Sequence, residues 1–170
     1  MTDIDQPNPP IFREANESDF PGIAAFYAKL DAHLRCFTYS FPEVEDISDL
    51  WLNLFRRTLG RFSILYVCEV DGALVGFISA RLKQAPDYMG GGLIGELKDM
   101  WVEPHFRGLG IAVELVRLAI KWCKDQNVHS CEGQILIGNQ PIIDLLESFG
   151  MKKELYQLRL NWDDYKERSA

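Results

Sequence analysis

The six residues Arg107-Gly108-Leu109-Gly110-Ile111-Ala112 have the make-up of an anion cradle. Their two glycines let the backbone turn tightly and bring its N–H groups close to a ligand. They stand where a strand reading, Leu93 to Val102, gives way to an amphipathic helix reading, Leu109 to Gln126. A helix start adds N–H groups without intrahelical acceptors and the positive end of the helix dipole. A pyrophosphate is the natural guest of such a junction, and a phosphorylated cofactor its natural source.

Two phosphate-binding motifs fail at this loop. A nucleoside-triphosphate loop opens its helix with Gly-Lys-Ser/Thr, and here Gly110 is followed by Ile111 and Ala112, without the lysine or the hydroxyl. A dinucleotide fingerprint needs a third glycine, and Val113 stands there. The stretch resembles instead the R-x-x-G-x-A signature of the GNAT superfamily of N-acetyltransferases. The resemblance runs in the family's order from Ile11-Phe12-Arg13-Glu14-Ala15 through Tyr66 to Val70, Asp71-Gly72, Ala73 to Ile78 and Asp99 to Pro104. It closes with Asn139 and Phe149-Gly150-Met151, so that roughly residues 11 to 162 are covered.

The resemblance implies an α/β fold, mixed α+β: a mostly antiparallel, twisted sheet of six to seven strands with one splayed parallel pair and helices on both faces. It implies acetyl-CoA as co-substrate, and no metal. The pyrophosphate would rest on backbone N–H groups of Arg107, Gly108, Gly110, Ile111 and Ala112, with Leu109 inside the loop. Arg107 could add a charge-assisted contact. Met100 and Val102 would offer backbone groups to the pantetheine arm, Met100 N–H as oxyanion donor, and Asn139 would bond the same arm besides capping a helix.

Acylating an amine requires its neutral form, which for a lysine-like group at pH 7 is about one molecule in two thousand. A base or a water relay must take the proton, and Glu96, then Asp99, are the carboxylates on the strand beside the expected acyl group. A bulge there, usual in the family, would decide between them. Many relatives carry a tyrosine seven residues after the Asn to protonate the leaving thiolate; here that position is Leu146. Tyr156 and Tyr39 are the substitutes, with water as a third source. Direct attack in a ternary complex follows, because Cys123 and Cys131 have no matched base. The acceptor is read as a primary amine on a small molecule. The alternatives are a protein lysine or N-terminus, and a non-catalytic acyl-CoA sensor.

These residues must be positioned by one substantial core, which 170 residues with 47% hydrophobic and 12% aromatic content can supply. The division expected is a loose N-terminus over residues 1–10, one domain over 11–165 and a short tail over 166–170. A helix is expected with Phe20, Ile23, Phe26, Tyr27, Leu30 and Leu34 inward, capped by Asn16 or Ser18. A second, over Ile47 to Leu59, is read with Leu50, Leu54 and Leu59 inward. Ser63 to Val70 and Ala73 to Leu82 form a hairpin on Asp71-Gly72. Ser130 to Ile137 is a strand, and Tyr156, Leu158, Leu160 and Trp162 alternate as a half-buried last strand.

The formal charge of −7 argues against a nucleic-acid partner that would be gripped through Lys and Arg. No apolar run reaches the length of a membrane span, and the start does not read as a signal peptide, so the expectation is a cytoplasmic protein without a membrane partner. The four cysteines and three histidines are scattered, which argues against a zinc site or a disulfide framework. Many relatives form dimers, so the resemblance admits a homodimer.

Overall fold

Asp71 and Gly72 both take positive φ, 50° and 78°, the backbone of a type I′ turn whose twist matches its strands. They join β2 (Ser63–Val70) to β3 (Ala73–Gln84), and β1 (Ile11–Glu14) pairs antiparallel to β2 on the outside. On the other side β4 (Leu93–Val102) pairs antiparallel with β3, and the three-residue β5 (Cys131–Gly133) runs parallel to β4. The sheet order is β1-β2-β3-β4-β5. The computed structural model describes residues 8–37 and 41–166.

Two helices cover each face. α1 (Phe20–Leu34) and α2 (Ile47–Arg56) bury Phe20, Ile23, Phe26, Trp51 and Phe55 against Leu65, Phe77 and Trp101. α3 (Ile111–Asp125) and α4 (Gln140–Ser148) put Leu115, Val116, Ala119 and Leu146 on Ile64, Ile78, Leu97 and Val102. Each large apolar side chain so buried contributes about 1.5–3 kcal/mol. None of the helices among the described residues is long and apolar enough to cross a membrane.

Two irregularities shape the centre. Ile78 pairs with Met100 but Ala80 with Leu97, so Lys98 and Asp99 together face Ser79, the bulge anticipated in this strand. β5 pairs with β4 only over Gly95–Leu97. Beyond Leu97 the two parallel strands part, and among the described residues no strand pairs with the outer edge of β4 to its end.

Five expectations need correction, the first being the strand read over Ser130 to Ile137, of which only Cys131–Gly133 forms. Among the described residues five strands form, not six to seven, because residues 152–161 hold no strand. Tyr156, Leu158 and Trp162 are 88%, 92% and 83% exposed; alternation assigns faces, but a strand also needs an edge, and the short β5 offers almost none. α3 starts at Ile111 rather than Leu109, since Gly110 at φ 81° cannot continue a right-handed helix. In α2 the inward row is Trp51, Leu52 and Phe55, while Leu50 and Leu54 are more than half exposed. Both rows are apolar, and the one carrying the aromatics buries more area.

Candidate functional site

The open edge of β4 presents backbone donors. Asp99 N–H bonds inward to Ser79 Oγ at 3.0 Å and Glu103 N–H to Val75 O at 2.9 Å. Strand alternation therefore turns Met100 and Val102 N–H the other way, along the open edge. The Val102 carbonyl on that edge already accepts Arg107 Nε at 2.9 Å.

At the end of this edge the chain turns into α3. Gly108 and Gly110 lie at φ 77° and 81°, and a Cβ built on either meets nothing within 4 Å, so both backbones face open space. Gly110 is the N-cap of α3 without a side-chain cap. Its carbonyl accepts the first helical bond, from Glu114 N–H at 3.1 Å, leaving Ile111, Ala112 and Val113 N–H without intrahelical acceptors. Leu109 is exposed between the two glycines. Arg107 is committed to the strand end: its N–H bonds Pro104 O at 3.3 Å and its guanidinium lies 4.7 Å over the Trp101 ring. The donors left for an anion run from Gly108 to Val113. Asn139 stands at the N-cap of α4, yet its side chain makes no cap bond.

The two carboxylates share the sheet face under α1 and α2 but differ in surroundings. Glu96, 2% exposed, is ion-paired with Arg81 and lies 3.8 Å from Lys98. Asp99 Oδ2 accepts Trp51 Nε1 at 2.8 Å and Ser79 Oγ at 3.2 Å. Burial pushes the Asp99 carboxyl above its ordinary value, against the opposing pull of the Trp51 bond, the Lys98 charge and the Ser79 bond. Its Oδ1 takes no hydrogen bond among the described residues, and the residue is partly exposed.

Beside this pair lies a cleft of about 280 Å³ lined by Leu54, Phe55, Thr58, Phe62, Arg81 and Lys83. Lys83 in turn pairs with Glu132 of β5. Three cations, Arg81, Lys83 and Lys98, thus stand against three carboxylates, Glu96, Asp99 and Glu132, with Arg81 and Lys83 on the cleft wall.

The expected proton donors are placed differently. Leu146 is buried, with Cδ1 3.5 Å from where a Cβ on Gly133 would lie. Tyr156 is exposed, and no hydrogen bond or ring contact ties it to β4. Tyr39 lies outside the described residues. Trp51 and Ser79, which hold Asp99, are the positioning residues that residue types alone missed, while Arg107, read as an anion contact, closes the strand end.

The sequence matches the Acetyltransferase (GNAT) family over residues 26–151. A glucosamine 6-phosphate N-acetyltransferase of Trypanosoma brucei brucei is 27% identical over 120 residues, 70% of this chain and 75% of its own. An uncharacterized N-acetyltransferase of Methanocaldococcus jannaschii is 27% identical over 89 residues, 52% of this chain but only 39% of its own length. The fold superposes with TM-score 0.74 and 17% identity on a predicted acetyltransferase from Clostridium acetobutylicum solved with acetyl-CoA, over 92% of this chain and 98% of that one.

Proposed function

The chain belongs to the GNAT acetyltransferase family, and from that premise we propose that it transfers the acetyl group of acetyl-CoA to a primary amine of a small molecule, by direct attack. The observation that carries this reading is the continuity of the open β4 edge with the uncapped, glycine-led start of α3. Gly108 to Ala112 N–H groups hold the pyrophosphate. Val102 and Met100 N–H groups align the pantetheine arm as an added strand would be aligned, with Met100 N–H left for the carbonyl oxygen, where negative charge develops in the transition state. Asn139, free of a capping bond, adds a polar contact to the arm.

Asp99 is the base in this reading, ahead of Glu96. A carboxylate whose proton affinity is raised by burial is better matched to an ammonium, and Oδ1 is open to receive the proton. Glu96 is held by Arg81 and Lys98 and shapes the acceptor cleft. The thiolate leaves into water, since a thiol of pKa about 8.5 is a tolerable leaving group unprotonated.

The two cations that line the cleft, Arg81 and Lys83, support an amine that also carries a phosphate or carboxylate, in keeping with the substrate named for the trypanosome relative. CoA release measured with glucosamine 6-phosphate, spermidine and an N-terminal peptide tests the reading. Turnover ranked in that order is expected. Release with the peptide alone would replace the small-molecule reading, and release with none, while acetyl-CoA still binds, would leave a sensor. The exposed apolar row from Leu155 to Trp162 would be covered in a homodimer, which light scattering detects as twice the chain mass.

A further inference from the structure

Two thiols that sequence separates meet beneath β4. Cys123 on α3 is buried at 1% exposure and Cys131, the first residue of β5, is partly exposed. Between them lies Gly95, which pairs with Cys131 across the parallel strands. A Cβ on Gly95 would fall 2.6 Å from Cys123 Sγ and 3.5 Å from Cys131 Sγ, so both sulfurs crowd the space that this glycine leaves empty. With both sulfurs gathered at that one point, their interaction holds Cys131 below the ordinary thiol value and, with burial, pushes Cys123 above it. One partner is thus reachable and inclined to the thiolate, the other protonated and poised behind it, the arrangement of a nucleophilic and a resolving cysteine.

We propose that Cys131 and Cys123 are a reversible modification site that hydrogen peroxide converts to a disulfide. The Cys131 thiolate attacks one peroxide oxygen, the O–O bond breaks, and a sulfenic acid and hydroxide form; the hydroxide takes the proton that Cys131 gave up. Cys123 sulfur then attacks the sulfenic sulfur, the S–S bond forms, and the hydroxyl leaves with the Cys123 proton as water. Two thiols are oxidised and one peroxide is reduced to two waters. The bond ties α3 to β5 at the closed end of the β4–β5 splay. Only eight positions separate the two cysteines in sequence, so it closes without moving distant elements.

The test uses a full-length Cys36→Ser protein, which removes the exposed thiol, treated with a small excess of hydrogen peroxide. The expected result is an intact mass lower by two hydrogens, a Cys123–Cys131 cross-linked peptide after digestion, and full reversal by dithiothreitol. With Cys123→Ala added and folding checked by circular dichroism, Cys131 should instead be trapped as a dimedone adduct of its sulfenic acid. Cys131→Ser should leave the mass unchanged at the same dose. An unmodified mass with both thiols still alkylated after denaturation overturns the proposal. So does a gain of two oxygens on Cys131 with Cys123 still free, because a resolving thiol in place would have intercepted the sulfenic acid. None of these readouts depends on acetyl transfer.

Discussion

Trp51 donates its indole N–H to Asp99 Oδ2 at 2.8 Å, which joins α2 to the bulge of β4 at a carboxylate whose proton affinity burial raises. The bulge is what makes the contact possible. It places Asp99 beside Lys98 opposite Ser79 alone, and so brings its side chain to the face where α2 lies.

Asp99→Asn keeps the shape and the acceptor for Trp51 but removes the proposed base. Turnover should fall by about 10² or more with acetyl-CoA affinity unchanged by calorimetry. In the parent protein the acidic limb of kcat/KM should lie above the ordinary aspartate value of 3.8 and should vanish with the Asn variant. Stability moves the other way: a carboxyl whose folded pKa is raised loses the fold stability as pH climbs from its unfolded value through the folded one. The Asn variant should therefore melt no lower at pH 7. Glu96→Gln, which strips Arg81 of its buried partner, should lower the melting temperature more than turnover. Normal turnover in Asp99→Asn with failure in Glu96→Gln would reverse the assignment.

Trp51→Phe isolates the indole bond. A donor to the ionised form lowers a pKa, so its loss leaves burial less opposed, and the acidic limb should move to higher pH. A limb that stays put, in a variant of unchanged kcat, would mean that Asp99 is not the titrating group.

Much of this was legible beforehand because it rests on local chemistry. Asp71-Gly72 dictates its turn and Gly108-Leu109-Gly110 its loop, and the strand, loop and helix order follows from periodicity. What stayed hidden depends on which surfaces meet. Leu50 and Leu54 have the same spacing as Trp51 and Phe55, and only the sheet chooses between the rows. Cys123 and Cys131 look scattered until Gly95 lets them meet. Arg107 reads as a ligand contact because its type suits an anion, yet Val102 O claims its Nε. The last strand fails because its alternation says nothing of β5, which ends at Gly133.

Gly110→Asp probes the cradle. Aspartate already adopts positive φ at Asp46 and Asp71, and a Cβ at Gly110 meets nothing, so the fold should survive. The added carboxylate at the proposed pyrophosphate site should weaken acetyl-CoA at least tenfold, about 1.4 kcal/mol. Gly110→Asn serves as the neutral control and should lose less. Equal affinity in all three folded proteins, measured by calorimetry, would remove the anion from this loop.

Asp19 anchors the entry to α1. Arg13 grips both its oxygens at 2.7 and 2.8 Å, and Asn16 N–H adds a third bond. The Arg13 bond holds the buried carboxyl below its ordinary 3.8. A lowered folded pKa contributes stability that is present above the unfolded value and is lost as pH falls through the folded one. Asp19→Ala should cost about 3 kcal/mol at pH 7 by urea titration, with a smaller difference from the parent below pH 3.8. A constant difference across that range would show that Arg13 contributes packing rather than charge.

Leu146 stands where many relatives place a proton donor, and its burial makes it a core side chain first. Its Cδ1 reaches toward Gly133 at the point where β5 ends, so truncation opens a hole between α4 and the sheet. Leu146→Ala should cost about 2–5 kcal/mol, with turnover per folded molecule little changed. Tyr156→Phe is the counterpart on the other candidate. At 88% exposure it stands in solvent near Lys153, so turnover and its pH profile should both be unaltered. A hundredfold loss in Tyr156→Phe, with acetyl-CoA affinity intact, would instead require residues 152–161 to fold back over β4 when the amine binds. Leu146→Tyr then separates the two accounts. If water protonates the thiolate, a tyrosine forced into the packed α4 seam should lower stability without raising turnover; a gain in turnover would show that this position faces the thioester after all.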